Sequence, residues 1–122
     1  MKPLTVLVVD DSAAMRTLLV STLETLGSLE ILQAANGFEA LRILPRQEIN
    51  LLLTDINMPD INGLELLSFV RSNPVYKEMP VVIISTEGSS KDIEKGMSLG
   101  ASEYLVKPFM PEQLLEIVRK YI

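Results

Sequence analysis

The 122-residue chain contains no cysteine and no histidine. Lack of cysteine excludes a disulfide framework, a thiolate nucleophile and a zinc-thiolate site, a composition compatible with a reducing cytoplasm. Lack of histidine excludes an imidazole base, a histidine metal ligand and any phosphohistidine formed within the chain itself. Positive charge is in the minority: 11 basic against 16 acidic residues leave a formal charge of −5. That sign is wrong for neutralising nucleic-acid phosphates, so proteins or cations are the expected partners. No apolar run approaches the length needed to span a bilayer. The opening Met1-Lys2-Pro3-Leu4-Thr5-Val6-Leu7-Val8-Val9 resembles a signal peptide only until Asp10-Asp11 cuts the apolar stretch short with no small-residue cleavage site. A cytoplasmic location, without contact to nucleic acid or membrane, is the expectation.

What is present reads as one domain over residues 1–122, large enough to fold without a metal or disulfide. Leu4 to Val9 reads as a buried strand, and Asp10-Asp11-Ser12 stops it. Met15, Leu18, Leu19, Leu23 and Leu26 recur at helical spacing up to Gly27. Leu29 to Ala34, interrupted by Glu30 and Gln33, reads as an edge strand. Asn36-Gly37 leads into a helix carrying Phe38, Leu41 and Leu44, ended near Pro45. Leu51-Leu52-Leu53-Thr54 is a strand apolar on both faces that runs into Asp55, with Met58-Pro59 and Asn62-Gly63 breaking the chain beyond it. Leu64, Leu67 and Val70 mark a third helix closed near Asn73-Pro74, and Val81 to Ile84 is the next strand, followed by Ser85-Thr86. A fourth helix through Ile93 and Met97 contains Gly96 and stops at Gly100, which makes it weak by propensity. Glu103 to Val106 is a short, partly polar strand. Lys107-Pro108-Phe109 then leads into a last helix with Leu114, Leu115, Val118 and Ile122 on its apolar side.

Strand and helix thus alternate five times with short connections, which predicts a parallel five-stranded sheet covered by helices on both faces. The most apolar strands, the first, third and fourth, belong in the centre, and the polar second and fifth at the edges. The order 2-1-3-4-5 meets both conditions and defines a flavodoxin-like (βα)5 three-layer sandwich.

In that topology the carboxyl ends of the strands share one rim. Asp10 and Asp11 end the first strand, Asp55 the third, Ser85 the fourth and Lys107 the fifth. Adjacent strands lie about 4.8 Å apart, so these side chains can converge. Two carboxylates 4 Å apart repel by roughly 4 kcal/mol at an effective dielectric near 20, and a hard divalent cation relieves this. Magnesium suits such a site because it takes oxygen ligands and keeps room for water and a phosphoryl oxygen. Asp10, Asp11 and Asp55 contribute −3, Mg2+ +2 and Lys107 +1, a sum of zero; an aspartyl phosphate of about −2 lowers it by only about one unit. A carboxylate can act as a covalent nucleophile toward phosphorus, with positioning and a metal supplying most of the catalysis. Asp55, flanked by apolar residues at the central strand, suits the nucleophile's role, with the Ser85 hydroxyl and the Lys107 cation on the phosphoryl oxygens. Each residue has a plainer alternative: Asp10, Asp11 and Ser12 can cap the first helix, Asp55 the following turn, and Lys107 can be simply solvated.

Asp10-Asp11 after the first strand, Asp55 before Asn57-Met58-Pro59, Ser85 after Ile83-Ile84, and Lys107-Pro108-Phe109 together resemble the receiver domain of two-component response regulators, CheY-like chemotaxis members above all. The resemblance covers essentially the whole chain. It implies that Asp55 accepts a phosphoryl group from a histidine kinase or histidine phosphotransfer protein. It implies a Mg2+ site of Asp11, Asp55 and the Asn57 backbone carbonyl, with Asp10 acting through water. It implies Ser85 and Tyr104 as a switch pair, Lys107 on the phosphoryl group, a Lys107-Pro108 peptide that is often cis, and tuning of phosphate lifetime by Asn57 and Glu87. Such a protein is not an enzyme in the usual sense, since it catalyses only its own phosphotransfer and dephosphorylation. With no DNA-binding or catalytic unit after the last helix, the output is expected to be a protein contact at the face of the fourth helix, fifth strand and fifth helix. On phosphorylation Tyr104 is expected to turn inward, with Lys91, Lys95, Ser98, Glu103 and Tyr104 exposed to read the change.

Two other activities fit the fold. A flavodoxin-like FMN binder needs an anion-friendly loop after the first strand, where this chain has two carboxylates, and would be coloured. An aspartyl-phosphate phosphatase of the dehalogenase type carries a second acid two residues after the nucleophile, where this chain has Asn57, and would turn over phosphate monoesters.

Overall fold

The structure, a computed structural model, describes residues 3–122; Met1 and Lys2, the first two positions of the expected domain, lie outside the described residues. In chain order the elements are β1 (Leu4–Val9), α1 (Ala13–Glu24), β2 (Leu29–Ala34), α2 (Gly37–Ile43), β3 (Leu51–Thr54), α3 (Gly63–Ser72), β4 (Val81–Ser85), α4 (Ser90–Ser98), β5 (Glu103–Val106) and α5 (Pro111–Arg119). The strands form one parallel sheet in the order β2-β1-β3-β4-β5, the flavodoxin-like arrangement expected from their polarity.

Side chains alternate across a strand, so each central strand feeds two cores. Leu7, Val9, Leu52, Val81 and Ile83 face the cluster completed by Ala40, Leu66, Leu67 and Val70 from α2 and α3. Val6, Val8, Leu51, Leu53, Val82 and Ile84 face the other, completed by Leu19 and Leu23 from α1 and by Leu114 and Val118 from α5. Burying β1, β3 and β4 on both faces fixes their register: a one-residue slip would exchange the two cores.

Helices α1 to α4 start where short polar side chains accept orphan N–H groups. Ser12 Oγ accepts from Met15 N (3.2 Å), Asn36 Oδ1 from Glu39 N (2.9 Å) and Ser89 Oγ from Asp92 N (3.1 Å). Asn62 and Glu65 form a reciprocal box at α3. These caps assist even α4, whose sequence is poor in helix formers.

Helical spacing overstates the apolar stripes at their margins. Leu18 and Phe38 are exposed, and Ile122 lies beyond α5 and is exposed rather than on its buried side. Among the described residues no helix is long and apolar enough to cross a membrane.

Candidate functional site

β1 and β3 are hydrogen-bonded neighbours, with Val9 beside Thr54, so the residues after them, Asp10 and Asp55, emerge side by side. Asp55 N donates to Val9 O (3.0 Å) and Asp10 N to Ala34 O (3.1 Å), which carries the strand pairing one step past each strand. Both residues are buried, Asp10 at 1% and Asp55 at 8% relative exposure, whereas Asp11 is exposed. One carboxylate oxygen from each of Asp10, Asp11 and Asp55 lies within 4.8 Å of the other two.

Lys107 closes the group from the far side of the sheet. Its N–H donates to Ser85 O (2.8 Å), anchoring the end of β5 to the end of β4. Its Nζ then lies 2.9 Å from Asp10 Oδ2 and 3.4 Å from Asp55 Oδ2. The Lys107-Pro108 peptide is cis. The remaining carboxylate oxygens take backbone donors: Asp10 Oδ1 accepts from Ser12 N (2.9 Å) and Asp55 Oδ1 from Ile56 N (2.7 Å). Of the capping alternatives, Ser12 alone holds the N-terminus of α1 by its side chain, while Asp10 turns to Lys107.

Burial pushes the Asp55 carboxyl above its ordinary range, and the neighbouring Asp10 charge adds to this; Lys107 and the Ile56 N–H act the other way. A single ammonium thus shares two buried carboxylates, with a third beside them. The donors are all hard oxygens, and the chain has no thiolate or imidazole to compete, a set that suits Mg2+ rather than a soft metal.

Ser85 is fully buried at the end of β4, and its Oγ accepts from Glu87 N (3.1 Å). Tyr104 pairs with Ile83 across β4 and β5, and its hydroxyl donates to Glu87 O. The Glu87 backbone, through its N–H and its carbonyl, therefore joins the two side chains expected to act as a switch pair. Asn57 sits exposed in the turn closed by Met58 N to Ile56 O (3.0 Å).

One expectation changes at Glu103 and Tyr104. The Tyr104 ring is turned inward, half-buried against the α2–α3 core cluster. Neither Tyr104 nor Glu103 is exposed: Tyr104 packs against that cluster, and Tyr121 Oη donates to Glu103 Oε2 (2.7 Å); Lys91, Lys95 and Ser98 do face outward. The cause of the inward ring lies on another element: a Cβ at Gly96 of α4 would fall 3.0 Å from Tyr104 Cδ2, 3.1 Å from its Cε2 and 3.0 Å from Ile83 Cδ1. Burial also raises the Tyr104 pKa. Gly96→Ala should therefore push the ring outward, although alanine favours the helix by up to ~1 kcal/mol. The expected result is unchanged or higher stability to denaturant with several-fold faster nitration of Tyr104 by mass spectrometry. Unchanged nitration would contradict this packing.

Three contributors escape a reading of the sequence. Thr54 Oγ1 donates to Asp55 O (2.9 Å), and Gly63 packs its Cα against that same carbonyl. Arg16 Nη1 donates to Asp10 O (2.6 Å). In the sequence Gly63 shows only as a turn residue, and Arg16 as the sole basic residue of an otherwise apolar and hydroxyl-rich α1.

The fold and the rim define a class: a flavodoxin-like α/β domain with an acidic pocket at the carboxyl ends of its central strands. Residues 6–119 match the response regulator receiver domain, and the chain belongs to that family. It is 42% identical over 111 residues to a chemotaxis protein CheY homolog of Campylobacter jejuni, covering 90% of this chain and 85% of that one. It is equally 42% identical to chemotaxis protein CheY1 of Helicobacter pylori, covering 90% of each. Chemotaxis protein CheY4 of Vibrio cholerae superposes with a TM-score of 0.90 at 36% identity, covering 98% of this chain and 99% of that one. The chain is therefore a CheY-like receiver domain, of the kind used in two-component signalling.

Proposed function

We propose that Asp55 accepts a phosphoryl group from the phosphohistidine of a histidine kinase or histidine phosphotransfer protein, and that a protein partner reads the change. The observation that carries this is Lys107 Nζ reaching both Asp10 Oδ2 and Asp55 Oδ2 in a pocket of three carboxylates. Asp55 Oδ1 is engaged by the Ile56 N–H, which leaves Oδ2, on the Lys107 side, as the oxygen presented to phosphorus. That oxygen forms the new P–O bond as the P–N bond of the donor breaks, and the imidazole leaves with its electron pair and takes a proton. The donor histidine lies outside these 122 residues, which contain none.

Asp10, Asp11, Asp55 and the Asn57 backbone carbonyl would hold Mg2+, which supplies charge neutralisation for the phosphoryl oxygens. Lys107 balances the charge of the incoming group, and the Ser85 hydroxyl offers it a donor. Because Ser85 Oγ accepts from Glu87 N while Glu87 O holds Tyr104, a pull on Ser85 moves the carbonyl to which Tyr104 is bonded. Phosphorylation draws Ser85 toward the phosphate and favours the inward Tyr104 and one arrangement of β4–α4 over another, through the difference in affinity for the two. The α4-β5-α5 face presents the result to a partner. The domain turns over nothing but its own phosphate, and its place is the cytoplasm.

Acetyl phosphate supplies the test without a kinase. Wild type with Mg2+ is expected to gain one phosphoryl mass and to shift amide resonances over α4, β5 and α5, while chelator or Asp55→Asn abolishes both. Labelling that survives Asp55→Asn would refute the acceptor assignment. A labelled protein with no shifts on that face would refute the switch alone.

A further inference from the structure

Arg16 lies on the first turn of α1, its side chain half-buried behind the β1–α1 loop. Its Nη1 donates to Asp10 O (2.6 Å) and its Nε to Gln33 Oε1 at the end of β2 (3.3 Å). Its backbone N–H meanwhile donates to Ser12 O (3.0 Å). Asp10 is thus gripped at every polar atom: its N–H by Ala34 O, its Oδ1 by Ser12 N, its Oδ2 by Lys107 and its carbonyl by Arg16. The last contact matters for a different residue. The Asp10 carbonyl belongs to the peptide that carries Asp11, so fixing its plane fixes where the Asp11 chain departs. Asp11 is itself exposed, yet its carboxylate joins those of Asp10 and Asp55 within 4.8 Å.

We propose that Arg16 is a positioning residue for Asp11, and through it sets the Mg2+ affinity of the pocket without touching metal or phosphoryl group. This rests on the reading of the pocket as a Mg2+-dependent phosphoacceptor site. A guanidinium suits the task because its planar fork reaches a backbone carbonyl and a side-chain amide together, which a lysine ammonium on a flexible stem does not do. Residues that orient a ligand typically change metal affinity by about tenfold or more when removed.

The test titrates the full chain with Mg2+, following amide shifts of residues 10–12 and 55–57, and measures acetyl phosphate labelling across the same Mg2+ range. Arg16→Gln and Arg16→Lys are expected to weaken Mg2+ binding about tenfold while labelling returns to the wild-type rate at saturating Mg2+. Gln33→Ala, which removes only the second, exposed anchor, is expected to weaken binding by a smaller factor in a fully folded chain. Wild-type Mg2+ affinity in all three variants, even with lowered thermal stability, would overturn the proposal and leave Arg16 a structural residue. A wild-type chain with neither Mg2+ shifts nor labelling would instead overturn the underlying reading of the pocket, and the proposal with it.

Discussion

Gly63→Ala is expected to cost about 3 kcal/mol or more in denaturant unfolding and to depress Mg2+-dependent labelling of Asp55 at least tenfold. A Cβ at this position would fall 1.9 Å from Asp55 O, 2.8 Å from Asp55 C and 3.0 Å from Ile56 Cα. All three are backbone atoms, so no rotamer change relieves the overlap. The carbonyl is also held by Thr54 Oγ1, and Gly63 N donates to Ile56 O (3.0 Å), so the loop and the strand end must separate together. Separation displaces the acceptor itself, and a misplacement of about 1 Å costs a transfer reaction heavily. Near-wild-type stability and labelling would show that the loop does not pack on Asp55 in this way.

Lys107→Ala is expected to destabilise the metal-free domain by about 3 kcal/mol at neutral pH, the cost of breaking a buried pair on one side only. Lys107 is the cation shared by Asp10 and Asp55, and its side chain is itself only 12% exposed. The pH dependence has a definite sign. Asp55 already titrates above its ordinary range, chiefly through burial, and Lys107 is the leading opposing influence. A carboxyl raised in the folded state supports the fold fully below its unfolded pKa, about 3.9, and that support is lost as pH rises through the folded value. Removing Lys107 raises Asp55 further, so the deficit should be largest at neutral and alkaline pH and shrink toward the ordinary carboxylate range. Adding Asp55→Asn, or Mg2+, should recover part of it. Chemical denaturation across pH reads all of this, and a deficit independent of pH would contradict the shared-cation account.

The fold was legible because its signals are repetitive. Leu51 to Thr54 and Val81 to Ile84 are apolar on both faces, β2 and β5 are partly polar, and those two facts separate the centre of the sheet from its edges. The pocket was legible because carboxylates and a lysine stand at strand ends, where topology alone brings them together. Contacts that depend on a second element's exact placement were not. Tyr104 turns inward because Gly96, on α4, leaves the space, and Glu103 is covered because Tyr121 returns past α5 to bond it. Gly63 reads in sequence only as a turn residue, whereas its close approach to Asp55 O is what the site needs. Leu18 and Phe38 show that helical spacing locates a stripe but not its edges.

The most direct measurement is chemical: expose the wild-type chain to acetyl phosphate with Mg2+, reduce any acyl phosphate with borohydride, and sequence the peptides by mass spectrometry. Homoserine in place of aspartate at position 55, lost when Mg2+ is chelated, is the predicted result. Homoserine at position 10 or 11, or none anywhere, would contradict the account.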